Sequence, residues 1–259
     1  MAVPGNKPPA GAPAGLADTE LFAVDAYTRT FDSPVVEVDR EQNRVTLART
    51  AFYPGGGGQP FDNGTLTWSD GSNVVTKVGR QDGRIWHWLA TGELPDPNAD
   101  VHGELDWSRR HLLMRTHTAL HILCGVVWQE FQIPVTGGNM DPGKGRLDFP
   151  LAAISTELGQ RLEHRINEEI AKAREIMVMF LGREMADGDP ALIRTSANLI
   201  PREIDPLRVI DIVGLDRQAD GGTHVASTAD VGMVVVTGTE SKGKGNKRVR
   251  IEVRDGAAD

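Results

Sequence analysis

The run RTHTALHILC sets His117 and His121 four residues apart. On a helix that spacing puts both imidazoles on one face, close enough to share an ion. On spacing alone, two hydrogen-bonded core histidines fit equally well. The zinc-protease pattern His-Glu-x-x-His is absent, because Thr118 follows His117, and the general-base glutamate is absent with it. Cys124 shares the helical face, but the rise from His117 is roughly 10 Å at about 1.5 Å per residue, too far for one ion to span. Cys124 is therefore expected as a small buried residue. The missing donors must come from elsewhere. DRQADGGTHVAST offers Asp220 and His224, again four apart, around Gly221, Gly222 and Thr223. Two glycines allow a tight turn that swings both side chains toward one point. Three imidazoles and one carboxylate suit tetrahedral Zn2+. The remaining histidines, His87 in an aromatic strand, His102 and His111 near a helix start, and His164 on a polar helix face, need only ordinary roles.

These residues need a scaffold. GELDWSRRH marks a helix start, with Asp106 or Ser108 as cap, and the helix continues through LLMRTHTALHILCGVVWQEF to the Ile-Pro stop. Its polar positions are few, so it is substantially buried. A second helix starts near Ser155, with Leu158, Leu162, Ile166 and Ile170 as its apolar stripe. RLDF before it, and LRVIDIVG, GMVVVTGTES and KRVRIEV after it, read as strands. Helices and strands in runs indicate an α+β layer. Upstream, SPVVEVDREQNRVTLART and GTLTWSDGSNVVTKVGRQDGRIWHWLATGEL alternate apolar and polar residues around turn signals, as in a small barrel or sandwich. GELPDPNAD reads as a linker or an irregular crossover. The chain divides on this reading into a flexible leader at 1–18, an all-β unit at 19–104 and an α+β unit at 105–259.

Composition narrows the class. A chain of 259 residues with 39% hydrophobic and 25% charged residues is an ordinary globular protein. The single cysteine excludes an intramolecular disulfide and points to a reducing compartment, the cytoplasm. The Pro-, Ala- and Gly-rich start has no signal-peptide core, and no window has the apolarity of a membrane span. The net charge of −8 argues against bulk polyanion binding. Even so, Lys242, Lys244, Lys247, Arg248, Arg250 and Arg254 cluster near the end of the chain, a local footprint for phosphates or a charged sheet edge. YPGGGGQP is not a phosphate loop, since no Gly-Lys-Ser/Thr is present and DNGTLTW continues as strand.

HTALHIL, QADGGTHV a hundred residues on, AFYPGGGGQPFDNGTL upstream, GRLDF, INEEI and SKGKGNKRVRI together resemble the alanyl-tRNA editing proteins, freestanding relatives of the editing domain of alanyl-tRNA synthetase. The resemblance runs from about Leu21 to Val253. It implies the longer form, a small N-terminal β-barrel followed by an α+β two-layer editing domain, with no aminoacylation module. The family's zinc ligands carry over to His117, His121, Asp220 and His224. Asp220 stands where the family most often has Cys, so it either binds the ion with a harder oxygen or orients a histidine or water from behind. The resemblance also brings the glycine run, Gly56, Gly57 and Gly58, toward an RNA terminus, where no Cβ blocks the backbone, and makes Gln59 a hydrogen-bonding candidate.

The implied reaction is hydrolysis in trans of the ester between tRNA(Ala) and a wrong amino acid, Ser or Gly. A pocket sized for Ala rejects smaller Gly and similarly sized Ser poorly, so a second site is needed. Thr118 and Thr223 adjoin the ligands and are candidates to recognise the Ser hydroxyl. No further Glu or His is marked as a base, which leaves room for a ribose hydroxyl. Lys242, Lys244, Lys247 and Arg248 would grip tRNA phosphates; no obligatory protein partner and no membrane is implied. The competing readings are a zinc hydrolase of small acyl esters and a tRNA-binding module with a decayed site.

Overall fold

Alternation in the first part of the chain becomes antiparallel pairing. After two helical turns, α1 (Leu16–Thr19) and α2 (Leu21–Val24), come strands β1 (Thr30–Asp39), β2 (Arg44–Leu47), β3 (Gly64–Trp68), β4 (Gly71–Gln81), β5 (Arg84–Leu89) and β6 (Asp100–Leu105). They form a closed barrel in the order β1-β2-β5-β4-β3-β6. The computed structural model describes residues 9–189, 192, 194, 201–243 and 245–256. It divides into two compact units, Met1–His111 and Leu112–Asp259.

In the first unit Phe31, Val35, Val45, Phe52, Leu66, Val75, Val101 and Leu105 point inward and fill the barrel. The closing strand β6 lies where the sequence suggested only a linker and a helix entrance. Its inward residues are Val101, Gly103 and Leu105, a weak pattern alone, and it becomes a strand by pairing with both β1 and β3. Gly64 is required there: a Cβ would meet the Glu104 carbonyl at 2.1 Å. The glycine run lies between β2 and β3, with φ of +82°, +131°, +56° and +91° over Gly55–Gly58. Gly56 and Gln59 close the turn by exchanging backbone hydrogen bonds of 3.1 and 2.9 Å. Within the expected leader, residues 9–18 carry a turn and most of α1, and Leu16 packs against Phe22, Ala23 and Tyr53. Residues 1–8 lie outside the described residues.

Helix α3 (Trp107–Phe131) leads from the first unit into the second, and the Asp106 carboxylate caps it by accepting from Arg109 N at 3.1 Å. Next come β7 (Gly137–Asp141), β8 (Lys144–Phe149), α4 (Thr156–Ala171), β9 (Ile176–Leu181), α5 (Arg183–Asp187), β10 (Leu207–Ile212), β11 (Asp216–Ala219), a 3-10 turn (Thr228–Val231), β12 (Met233–Ser241) and β13 (Lys247–Arg254). Two sheets result, β12-β13-β8-β7 and β11-β10-β9. The unit is α+β. Both sheets use α3. A Cβ on Gly145 of β8 would lie 2.9 Å from Leu120, and one on Gly125 would lie 2.9 Å from Leu215, next to β11. This is why α3 is apolar almost all round, with Leu113, Met114, Ile122, Leu123, Val126 and Val127 fully buried. Helix α4 starts at Ser155, whose hydroxyl accepts from Leu158 N, and buries Leu162, Ile166 and Ile170. Among the described residues no helix is long and apolar enough to cross a membrane.

Candidate metal centre

His117 and His121 come from consecutive turns of α3, and the turn after β11 brings the other two donors. Arg208 of β10 holds that turn: its Nη1 donates to the carbonyls of Asp220 at 2.9 Å and Gly222 at 2.8 Å. Asp220 N returns a hydrogen bond of 3.0 Å to Arg208 O. The Asp220 carboxylate folds back to accept from Gly222 N at 2.7 Å, the local bond for which Asp is suited in a turn. One donor atom from each of His117, His121, Asp220 and His224 lies within 4.8 Å of all the others. Asp220 Oδ1 is 3.6 Å from His117 Nε2 and Oδ2 is 3.1 Å from His224 Nε2. The three rings crowd together, with centroids 4.4 to 5.1 Å apart.

Burial sets the charge states. It pushes His117 down to about 4, against the pull of Asp220. Burial and the neighbouring His117 hold His224 well below the usual 6.5. Burial lowers His121 most strongly of any single cause, but the hydrogen bond and charge of Asp216, with the charge of Asp220, together outweigh burial and raise it. Burial alone would raise Asp220, but the surrounding histidines outweigh it and hold the carboxyl well below 3.8. The cluster thus combines an ionised carboxylate with His117 and His224 neutral at neutral pH, the protonation states a metal requires of those three ligands.

The structure also places the other candidates. Thr118 is fully buried: its Oγ1 lies 3.2 Å from His224 Nδ1 and accepts from Val225 N at 3.3 Å. Thr223 is equally buried. Gly56, Gly57, Gly58 and the buried Gln59 belong to the first unit. Cys124 is buried with its thiol pushed well up by burial, and its Sγ accepts from Gln218 at 3.3 Å.

The basic segment divides by strand alternation. Lys247 is only 9% exposed, on the core side with Val249 and Ile251, and donates to Ser241 Oγ at 3.0 Å. Arg248 is held by Asp148 through two 2.7 Å bonds. Lys247 and Arg248 are therefore not presented as the free phosphate contacts expected of them. Lys242 is exposed, as are Arg250 and Arg254, while Lys244 lies outside the described residues. Sequence reasoning missed Asp216, Gln218 and Arg208. Alternation along β11 was the available signal, since positions 216, 218 and 220 share one side of a strand.

The family model described as tRNA synthetases class II (A) matches residues 21–109, and that described as Threonyl and Alanyl tRNA synthetase second additional domain matches residues 207–250. The alanyl-tRNA editing protein AlaX-M of Saccharolobus solfataricus is 39% identical over 237 residues, covering 91% of this chain and 98% of its own. That of Methanosarcina acetivorans is 32% identical over 245 residues, with the same coverages. The alanine–tRNA ligase of Pyrococcus furiosus is 34% identical over 245 residues, 90% of this chain but 26% of the ligase. Fold and site define a class of protein: a closed barrel joined in one chain to an α+β unit with a His3Asp cluster whose three histidines are buried. Within it, this chain belongs to the AlaX-M family of alanyl-tRNA editing proteins.

Proposed function

We propose that the protein is a cytoplasmic, zinc-dependent aminoacyl-tRNA deacylase that removes Ser, and also Gly, from mischarged tRNA(Ala) in trans. The observation that carries this reading is the convergence of three buried imidazoles and the half-buried Asp220 carboxylate in a chain with AlaX-M relatives over nearly its whole length. The donor set fits zinc. A tetrahedral ion with bonds of about 2.0–2.1 Å separates its donors by about 3.3 Å. The Asp220 oxygens already stand 3.6 and 3.1 Å from two imidazole nitrogens. Asp220 is read here as a ligand, since its two oxygens face His117 and His224. When bound, Zn2+ would supply a Lewis acid for the ester carbonyl or substrate amine, or lower the pKa of a water.

The chain's own groups do the rest. Arg208 fixes the ligand turn by binding two of its carbonyls, so Asp220 and His224 are held before substrate arrives. Burial of His117, His121 and His224 limits the access of bulk water to their ring nitrogens. Discrimination against Ala-tRNA(Ala) needs a polar partner for the Ser hydroxyl, one that Ala would leave unpaired. Thr118 and Thr223, which adjoin the ligands, are the candidates; the Thr118 hydroxyl lies 3.2 Å from His224 Nδ1 and accepts from Val225 N. The glycine turn with Gln59 is assigned to the RNA terminus, and Lys242, Arg250 and Arg254 to backbone phosphates.

Ser-tRNA(Ala) tests the reading. Zinc-dependent release of serine is expected, with Ala-tRNA(Ala) spared and His121→Ala at least 100-fold slower. Binding without release would favour a tRNA-binding module, and cleavage confined to small esters would favour a different hydrolase.

A further inference from the structure

His121 has a buried carboxylate behind it. Its Nδ1 is 3.0 Å from Asp216 Oδ2, and Asp216 is only 2% exposed at the start of β11. The other carboxylate oxygen accepts from Arg194 Nη1 at 2.6 Å, and Oδ2 also accepts from Gln218 Nε2 at 2.6 Å. Arg194 is itself anchored: its carbonyl accepts from Val135 N at 2.8 Å, and its guanidinium lies 5.1 Å from the Trp128 ring centroid. Behind His224, on Nδ1, lies the neutral Thr118 hydroxyl at 3.2 Å.

Arg194 and the Gln218 amide nitrogen are donors without acceptor capacity, so they hold both Asp216 oxygens as acceptors. The proton shared between Asp216 and His121 then belongs to the imidazole, on Nδ1. We propose that Asp216 is a positioning residue: fixed by Arg194 and Gln218, it keeps the His121 proton on Nδ1 and presents Nε2 to His117, Asp220 and His224. His121 is thereby locked in one tautomer and one ring orientation, and the buried carboxylate raises its strength as a donor. The location of the proton stands on geometry alone; its consequence for metal affinity rests on the metal-centre reading above.

The test is histidine-ring 15N NMR of the wild-type protein at pH 8, metal-free and zinc-loaded, with His121→Asn to assign the signals. The expected result is His121 protonated on Nδ1 in both forms, with zinc shifting Nε2. Protonation on Nε2, or zinc bound at Nδ1, would overturn the proposal. Asp216→Asn should lower zinc affinity about 10–100-fold in chelator competition and redistribute the His121 tautomers, with partial recovery in Asp216→Glu. An Asp216→Asn protein that keeps both wild-type affinity and the Nδ1 proton refutes it, and should that variant not fold, the wild-type spectrum decides. Absence of zinc binding to the wild type would defeat the affinity part. Failure to release serine with the expected ring spectrum would instead sink the editing reading and leave the Asp216 assignment intact.

Discussion

Asp220 is the residue where this chain departs from what its family resemblance led one to expect. A carboxylate suits the position for two reasons visible in the structure. One oxygen accepts from Gly222 N, which shapes the turn, and the two oxygens address His117 and His224 separately. A thiolate offers one softer donor and would give up the turn bond. Substituting Asp220→Cys should therefore retain zinc with equal or tighter affinity, about tenfold at most, because the better ligand is offset by a looser turn. Asp220→Ala should lose at least tenfold in the same chelator titration. A Cys variant that binds no metal would show that the turn bond matters more than the donor. The residue types at these four positions were legible as a donor set before any coordinates. Asp216 was not, because its alternation with position 220 gains meaning only once its strand is laid against α3.

At the scale of elements, the barrel shows how a buried polar residue is accommodated. His87 of β5 is fully buried, with Nε2 2.9 Å from Thr50 Oγ1 and Nδ1 3.3 Å from the Val45 carbonyl. Burial lowers it to about 4, so the folded barrel holds it neutral. Above pH 6.5 folded and unfolded chains are both neutral there, and the stability this site contributes is fully present. As pH falls from 6.5 toward 4, the unfolded chain takes up a proton that the barrel refuses, and about 3 kcal/mol is lost. Denaturant titrations between pH 8 and 4.5 should show that slope, reduced in His87→Gln; equal slopes would mean that the ring is protonated without cost. His117 acts in the same direction in the second unit. Strands with strong alternation and turn signals, such as β1 to β5, could be read from the chain. β6 could not, since its few inward residues acquire meaning only between β1 and β3.

For the whole molecule, a net charge of −8 coexists with a basic strand near the chain end. Part of that charge is already committed: Arg248 is held by Asp148 away from solvent, while the exposed Arg250 and Arg254 pair with Glu240 and Glu252 at the surface, where phosphate can compete. Such pairing limits the phosphates the protein can neutralise. Raising salt from 50 to 200 mM should weaken tRNA binding by about 10- to 100-fold, the response to about two to four phosphate contacts. A loss of 1,000-fold or more would mean a larger basic footprint than these residues supply. Filter binding or fluorescence anisotropy at several salt concentrations gives the slope directly.

The sequence by itself determined the local terms: which segments are helix, which alternate as strand, where the chain must turn, and which four side chains can donate to one ion. Helical and strand periods, caps and glycine turns are short-range effects, readable within a few residues. Tertiary structure alone decided which of those side chains are free to act. It buried Lys247, tied Arg248 to an acid 100 residues away, engaged the Thr118 hydroxyl with His224, and set Asp216 behind His121. Those outcomes depend on packing between segments distant in sequence, where burial and a fixed partner decide whether a polar group meets substrate, metal or only its neighbour.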